Sequence, residues 1–149
     1  MDLILWRHAE SSNGDTVADI DRDLTDRGRQ HAMRIAEWLR EQRLGNVTVL
    51  SSPARRALET AAALGMPVTV KRELGIGASA ADLIGAAGWP DGNGTTVLVA
   101  HQPSLGRLAA LLLAGKEADW TIKKAGAWWF SNRVRRDETQ TILRAVCNP

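Results

Sequence analysis

Short apolar runs alternate along this chain with longer stretches in which apolar residues recur every three to four positions. That pattern belongs to a domain that interleaves strands and helices. Leu3-Ile4-Leu5-Trp6 is an apolar run bounded by charge, and it reads as a buried strand ending at Arg7-His8. A polar loop from Glu10 to Asp23 follows, holding Asn13-Gly14-Asp15 and a stretch rich in Asp. Thr25 then predicts the N-cap of a helix running to about Arg43, because Ala32, Ile35, Ala36 and Leu39 share one helical face. Gly45-Asn46 ends that unit.

Val47 to Leu50 predicts a second strand. Ser52 at an N-cap and Pro53 at the first helical position predict the next helix, closed by Gly65 and Pro67. A third strand is expected at Val68 to Val70, and a short helix near Ser79 to Ala87 inside the Gly- and Ala-rich stretch from Glu73 to Gly94. Thr95 to Ala100 is the clearest buried strand, with His101 at its C-terminal end, and Pro103 to Ala114 is an apolar helix. Trp120 to Ser131 and Thr139 to Val146 read as two last strands, joined through Asn132 to Asp137. The expected fold is one α/β domain over residues 1–149, a three-layer α/β/α sandwich around a mostly parallel central sheet.

Composition narrows the class. With 149 residues, 44% hydrophobic and 24% charged, the chain is neither a disordered tail, a collagen-like repeat nor a disulfide scaffold. The single Cys147 has no internal partner and no cleavable apolar leader is visible, so a reducing cytoplasm is the expected location. No run approaches the ~18 apolar residues of a membrane span, and the richest, Leu105 to Ala114, is broken by Arg107. The net charge of +2 conceals a bias, since most of the 19 basic residues are Arg. An Arg-biased genome and a phosphate-handling role explain that equally well, so position must decide. A pI near 9.1 raises the question of nucleic acid, but no long basic face carries interleaved aromatics, and neither nucleic acid nor membrane is an expected partner.

Position points to one edge. In an open α/β sheet, ligands bind beyond the carboxyl ends of the strands. The first strand delivers Arg7-His8, the second Ser51-Ser52 and then Arg55-Arg56, and the fourth His101. Histidine and arginine crowded at one edge suit a tetrahedral, doubly negative group, which arginine grips through forked hydrogen bonds. Helix N-termini at Thr25, Ser52 and Pro103 add positive dipole ends. The His and scattered carboxylates make a poor zinc set, and no metal is expected. There is no His-Glu-x-x-His, no Gly-rich P-loop and no Gly-x-Ser-x-Gly elbow. A histidine among arginines is placed to attack phosphorus itself.

Four motifs in order strengthen this reading. Leu5-Trp6-Arg7-His8-Ala9-Glu10 resembles the Arg-His-Gly strand end of the histidine phosphatase superfamily, whose fold is the phosphoglycerate mutase-like one. Asp23-Leu24-Thr25-Asp26-Arg27-Gly28 is similar to its Leu-Thr-x-x-Gly helix start, and Ser52-Pro53-Ala54-Arg55-Arg56-Ala57 to its Ser-Pro-x-x-Arg-Ala. Val97-Leu98-Val99-Ala100-His101 resembles the strand leading to the second histidine. The resemblance implies His8 as nucleophile, with Arg7, Arg56 and His101 completing a phosphate pocket and no cofactor. The motif spacing selects Arg56 rather than Arg55. Family members often use a carboxylate after the third strand as proton donor, which here would be Glu73. The chain departs from the pattern at this point, because Gly75-Ile76-Gly77-Ala78-Ser79 replaces the usual aromatic and acidic residues; Ala9 also replaces the usual Gly.

Length and His101-Gln102-Pro103 are similar to the short SixA-like branch of protein phosphohistidine phosphatases, and the stretch before Thr95 leaves no room for a large cap insertion. The implied function is hydrolysis of protein phosphohistidine through a covalent phosphohistidine on the enzyme. The alternatives are a phosphatase of a small phosphomonoester, such as a sugar or nucleotide phosphate, and a phosphoprotein-binding module that lost turnover. Other conspicuous residues have plainer readings. Arg55 is a solvated helix residue, and Glu10 either orients a pocket arginine or lies on the surface. His31 is structural or solvated, and Trp120, Trp128 and Trp129 pack the last strands. Arg133 to Arg136 form a solvated hairpin that could dock an acidic partner surface.

Overall fold

In a computed structural model describing residues 1–149, the apolar runs become β1 (Asp2–Arg7), β2 (Val47–Ser51), β3 (Val68–Val70) and β4 (Thr95–Ala100). With β5 (Ala127–Arg135) and β6 (Glu138–Cys147) they form one six-stranded sheet in the order β3-β2-β4-β1-β5-β6. The first four pair in parallel, and β5 and β6 add an antiparallel edge. Helices α1 (Asp26–Glu41) and α2 (Arg55–Ala62) cover one face, and α3 (Ala80–Ala87) and α4 (Ser104–Ala114) the other.

Successive strand side chains point to opposite faces, so a doubly covered strand needs an unbroken apolar run. Ile4, Trp6, Val97 and Val99 pack with Ile35, Leu39, Ala57 and Ala61 on the α1–α2 side. Leu3, Leu5, Leu98 and Ala100 pack with Leu83, Leu105 and Leu108 on the other. Pairing of β1 with β4 sets Arg7 opposite Ala100, so the two chains leave the sheet side by side at His8 and His101. The His8 amide donates to the Ala100 carbonyl at 3.2 Å, and the Ser52 amide donates to Val99 at 3.0 Å. Three strand ends therefore meet at one edge.

The structure corrects four boundaries. α1 stops at Glu41, short of Arg43, whose φ of 51° is left-handed. α2 begins at Arg55, not at Ser52-Pro53, because the Ser52 hydroxyl is engaged by His101 as well as by the Ala54 amide. The strand expected from Trp120 starts only at Ala127. Residues 120–126 are instead a loop whose carbonyls accept from side chains: Gln102 Nε2 to Trp120 at 2.9 Å, Arg7 Nη1 to Ile122 at 2.8 Å and Trp6 Nε1 to Ala125 at 2.9 Å. β5 then runs on through Arg135, so Arg133 and Arg135 are exposed strand residues and the connection shrinks to Arg136-Asp137. Both turn residues have positive φ, 53° and 64°, as a two-residue hairpin turn requires. Trp120, Trp128 and Phe130 stack in series with ring centroids 6.3 and 6.4 Å apart. No helix is long and apolar enough to cross a membrane.

Gly28 is where α1 touches the site-bearing loop. Its amide donates to the N-cap Thr25 Oγ1 at 3.0 Å, and a Cβ there would collide with the Glu10 carbonyl. Gly28→Ala is expected to lower unfolding free energy by about 1–3 kcal/mol, the usual range for overpacking. Urea denaturation measures it, and an unchanged midpoint would contradict the close approach.

Candidate active site

The end of β1, the segment after β2 and the end of β4 bring His8, Arg56 and His101 together, with relative exposures of 8%, 4% and 3%. The two imidazole rings lie 5.1 Å apart between centroids. His8 Nδ1 is 2.8 Å from the Ala9 carbonyl. A carbonyl only accepts, so Nδ1 carries the proton and Nε2 presents a lone pair. Arg56 Nε donates to that Nε2 at 3.4 Å. A buried Thr60 fixes the arrangement: its Oγ1 donates to the Arg56 carbonyl at 2.7 Å and accepts from the Ala9 amide at 3.0 Å. One hydroxyl thus ties the first turns of α2 to the residue after His8.

His101 is oriented through Ser52. The Ser52 hydroxyl accepts from the Ala54 amide at 3.1 Å and lies 2.7 Å from His101 Nε2. No other acceptor engages this hydroxyl, so its proton goes to Nε2 and His101 carries its own proton on Nδ1. That Nδ1 is buried without a partner, as is Arg7 Nε. Arg7 is aligned by the bond from Nη1 to the Ile122 carbonyl.

Burial keeps both histidines neutral at pH 7. It pushes His8 down to about 3, assisted by His101, Arg56 and Arg7 and opposed by the bond to Ala9. His101 falls to about 4, again mainly through burial, then through Arg56 and Arg7, with Asp19 opposing. Burial also lowers Arg7 from its ordinary value. The carboxylate in contact with this cluster is Asp19, on a single helical turn at Asp19–Asp21. Arg56 Nη1 donates to its carbonyl at 2.7 Å, and Nη2 lies 3.3 Å from Oδ2. Slight burial pushes the Asp19 carboxyl up, but Arg56 and then Arg22 hold it below its usual range.

Arg7, His8, Arg56 and His101 are therefore brought together as a set. Glu73 is not among their partners: it is exposed on the turn Arg72–Leu74 and lines a separate shallow groove with Gly75, Ile76 and Asp82. Arg55 is exposed and ion-paired with Glu59 at 3.2 Å. Glu10 Oε1 accepts from Thr25 Oγ1 at 2.9 Å rather than from a pocket arginine. Sequence reasoning missed Thr60, whose one available signal is its position a helical turn after Arg56. It also missed Asp19, one of several acids in a loop without periodicity. A mainly apolar cleft of about 210 Å³ among Leu39, Leu44, Val47, Leu64 and Met66 shares no residue with this set.

Comparisons with known proteins identify the family and the fold. The family model described as histidine phosphatase superfamily (branch 1) matches residues 3–75. An uncharacterised protein of Mycobacterium tuberculosis is 35% identical over 116 residues, 75% of this chain and 73% of its own length. The solved structure of the protein histidine phosphatase SixA complexed with tungstate superposes with a TM-score of 0.79 at 23% identity, covering 99% of this chain and 97% of that one. Mycobacterial glucosyl-3-phosphoglycerate phosphatase gives a TM-score of 0.72 at 21% identity, covering 97% of each chain. These likenesses identify the phosphoglycerate mutase-like fold.

Two outcomes follow from the charges. The unfolded chain binds protons at its histidines from about pH 6.5 downward, whereas folded His8 and His101 wait until about 3 and 4. The stability these neutral histidines contribute is present above pH 6.5 and is lost as pH falls to about 4 for His101 and about 3 for His8, by up to about 1.4 kcal/mol per pH unit for each. Urea denaturation across this window should give a shallower pH slope for the His8→Ala/His101→Ala double variant than for the wild type. Asp19→Asn removes the charge that competes for Arg56, so inorganic phosphate should bind about threefold to tenfold more tightly by calorimetric titration. Unchanged or weaker binding would show that Asp19 does not compete.

Proposed function

This chain belongs to the histidine phosphatase superfamily, and from that premise we propose that it hydrolyses protein phosphohistidine through a covalent phosphohistidine on its own His8. The observation that carries the reading is the pairing of a neutral His8, lone pair on Nε2, with two buried donors that lack partners, Arg7 Nε and His101 Nδ1. A phosphoryl group is the chemistry that needs both at once.

In the first step His8 Nε2 attacks phosphorus in line with the leaving group. The N–P bond forms as the bond to the leaving atom breaks, and that atom departs with the electron pair. Arg7, Arg56 and His101 donate to the equatorial oxygens, whose charge is redistributed in the transition state. Water then attacks the phosphorylated His8, releasing orthophosphate and returning the lone pair to Nε2. Burial supports the nucleophile, because a histidine that titrates near 3 is unprotonated at neutral pH.

The leaving group favours phosphohistidine. Asp19, the carboxylate in contact with the cluster, is held ionised by Arg56, and Glu73 faces another groove. A site with no poised acid suits an imidazole leaving group, which needs less protonation than the alkoxide of a sugar phosphate. The segment between β3 and β4 contributes one helical turn and the short α3, so no inserted domain stands between the site and a protein surface. The reading places the enzyme among phosphoproteins of the cytoplasm.

The test is phosphate release from a phosphorylated histidine-containing phosphotransfer protein, set against a panel of phosphomonoesters. Wild type should act rapidly on the protein substrate, and His8→Ala should lose at least about a thousandfold. Broad phosphomonoester turnover lost in the same variant keeps the mechanism and moves the substrate to small metabolites. Tight phosphate binding without turnover would make the chain a binding module, and activity surviving His8→Ala overturns the mechanism.

A further inference from the structure

We infer that a basic groove beside Arg7 is a second anion subsite, so that the substrate carries a further phosphate or carboxylate next to the phosphoryl group; this rests on the phosphatase reading above. The groove has a volume of about 400 Å³ and is lined by Arg7, Glu10, Arg27, His31, Lys123 and Lys124, with no hydrophobic residue in its wall. Four segments build it, the chain end contributing Pro149. β1 ends at Arg7, α1 supplies Arg27 and, one turn on along the same face, His31, and the loop before β5 supplies both lysines.

The lysines stand on an anchored support. Trp6, Arg7 and Gln102 bind the carbonyls of residues 125, 122 and 120, and the Gly126 amide donates to the Lys123 carbonyl at 2.8 Å. Charge pairing separates these cations from their neighbours. Arg22 pairs with Asp19, and Arg29 and Arg55 both pair with Glu59 and Asp23. Arg27, Lys123 and Lys124 pair with no carboxylate, although they share one groove with Arg7. Glu10 is the acidic side chain in the wall, and one of its oxygens is taken by Thr25.

Four cations outnumber the two carboxylates of the groove, those of Glu10 and of the Pro149 terminus, and the excess attracts an anion. Arg7 belongs to both places: its guanidinium lines the groove while its buried Nε is a donor without a partner beside the nucleophile. A ligand spanning the two therefore sets its anionic groups within about one arginine side chain of each other. A wall whose charged side chains are mainly cationic fits an acidic ligand. Two sources share this chemistry: a small metabolite bearing phosphate and carboxylate, and acidic side chains flanking a phosphohistidine.

The experiment compares wild type with Arg27→Gln and Lys123→Gln/Lys124→Gln, changes at exposed positions. One arm measures the inhibition constant of 3-phosphoglycerate against turnover of p-nitrophenyl phosphate. The other measures KM for a phosphorylated histidine-containing phosphotransfer protein. The variants should weaken at least one of these by about tenfold while KM for p-nitrophenyl phosphate stays within about twofold. A response in the first arm names the metabolite source, and one in the second alone names the acidic protein surface. No response in either arm, or an equal loss for p-nitrophenyl phosphate, overturns the subsite. If p-nitrophenyl phosphate turnover is absent or survives His8→Ala, the phosphatase reading fails instead. Calorimetric binding of 3-phosphoglycerate then decides the groove, weakened in the variants if it holds an anion and unchanged if it does not.

Discussion

The parallel pairing of β1 with β4, Arg7 opposite Ala100, is the constraint on which the rest of the molecule depends. It sets two histidines far apart in sequence side by side where the sheet stops, and the chain on both sides is then clamped. The His8 amide donates to the Ala100 carbonyl, the His8 carbonyl accepts from the Ala125 amide, and the Ala9 amide donates to Thr60 Oγ1. None of these bonds is local. They hold because the strands are buried on both faces, where an unpaired backbone group is expensive to leave. The same burial keeps both imidazoles neutral, so one physical fact supplies both the rigidity and the free lone pair on His8 Nε2.

The parts of this arrangement legible in the sequence are those encoded by short patterns. Strands covered on both faces must be unbroken apolar runs, and Arg7-His8 and His101 are visible because each follows one. Arg56 is legible through its spacing from Ser52. The illegible parts depend on partners distant along the chain. Ser52 carries every local sign of a helix cap, yet its hydroxyl is engaged by His101, so the helix begins at Arg55. Trp120 to Gly126 has a strand-like composition, but three side chains from other segments claim its carbonyls. Asp19 lies in a loop whose register no periodicity sets. Glu73 stands at the expected position in sequence, and the turn Arg72–Leu74 faces it into a different groove.

The site is also a junction between positive charge that is neutralised and positive charge that is not. Arg56 is half-answered by Asp19, whose carboxylate is a weak stand-in because it remains largely open to water. Arg7 has a backbone carbonyl for a partner, which aligns it without cancelling its charge. Alignment without neutralisation is what a group needs if it is to hold a phosphoryl oxygen at no cost in reorganisation.

The bond from Arg7 to the Ile122 carbonyl has a thermodynamic consequence for a segment remote from phosphorus. The guanidinium is bonded directly to the loop that follows Trp120, so a ligand that orders Arg7 also orders the loop, and through it the start of β5. Occupancy and loop order are then linked functions: whatever free energy the loop gains from a bound anion, the anion gains from an ordered loop. Amides of residues 120–126 would report ligation as slower hydrogen exchange, although none of them touches the reacting atom.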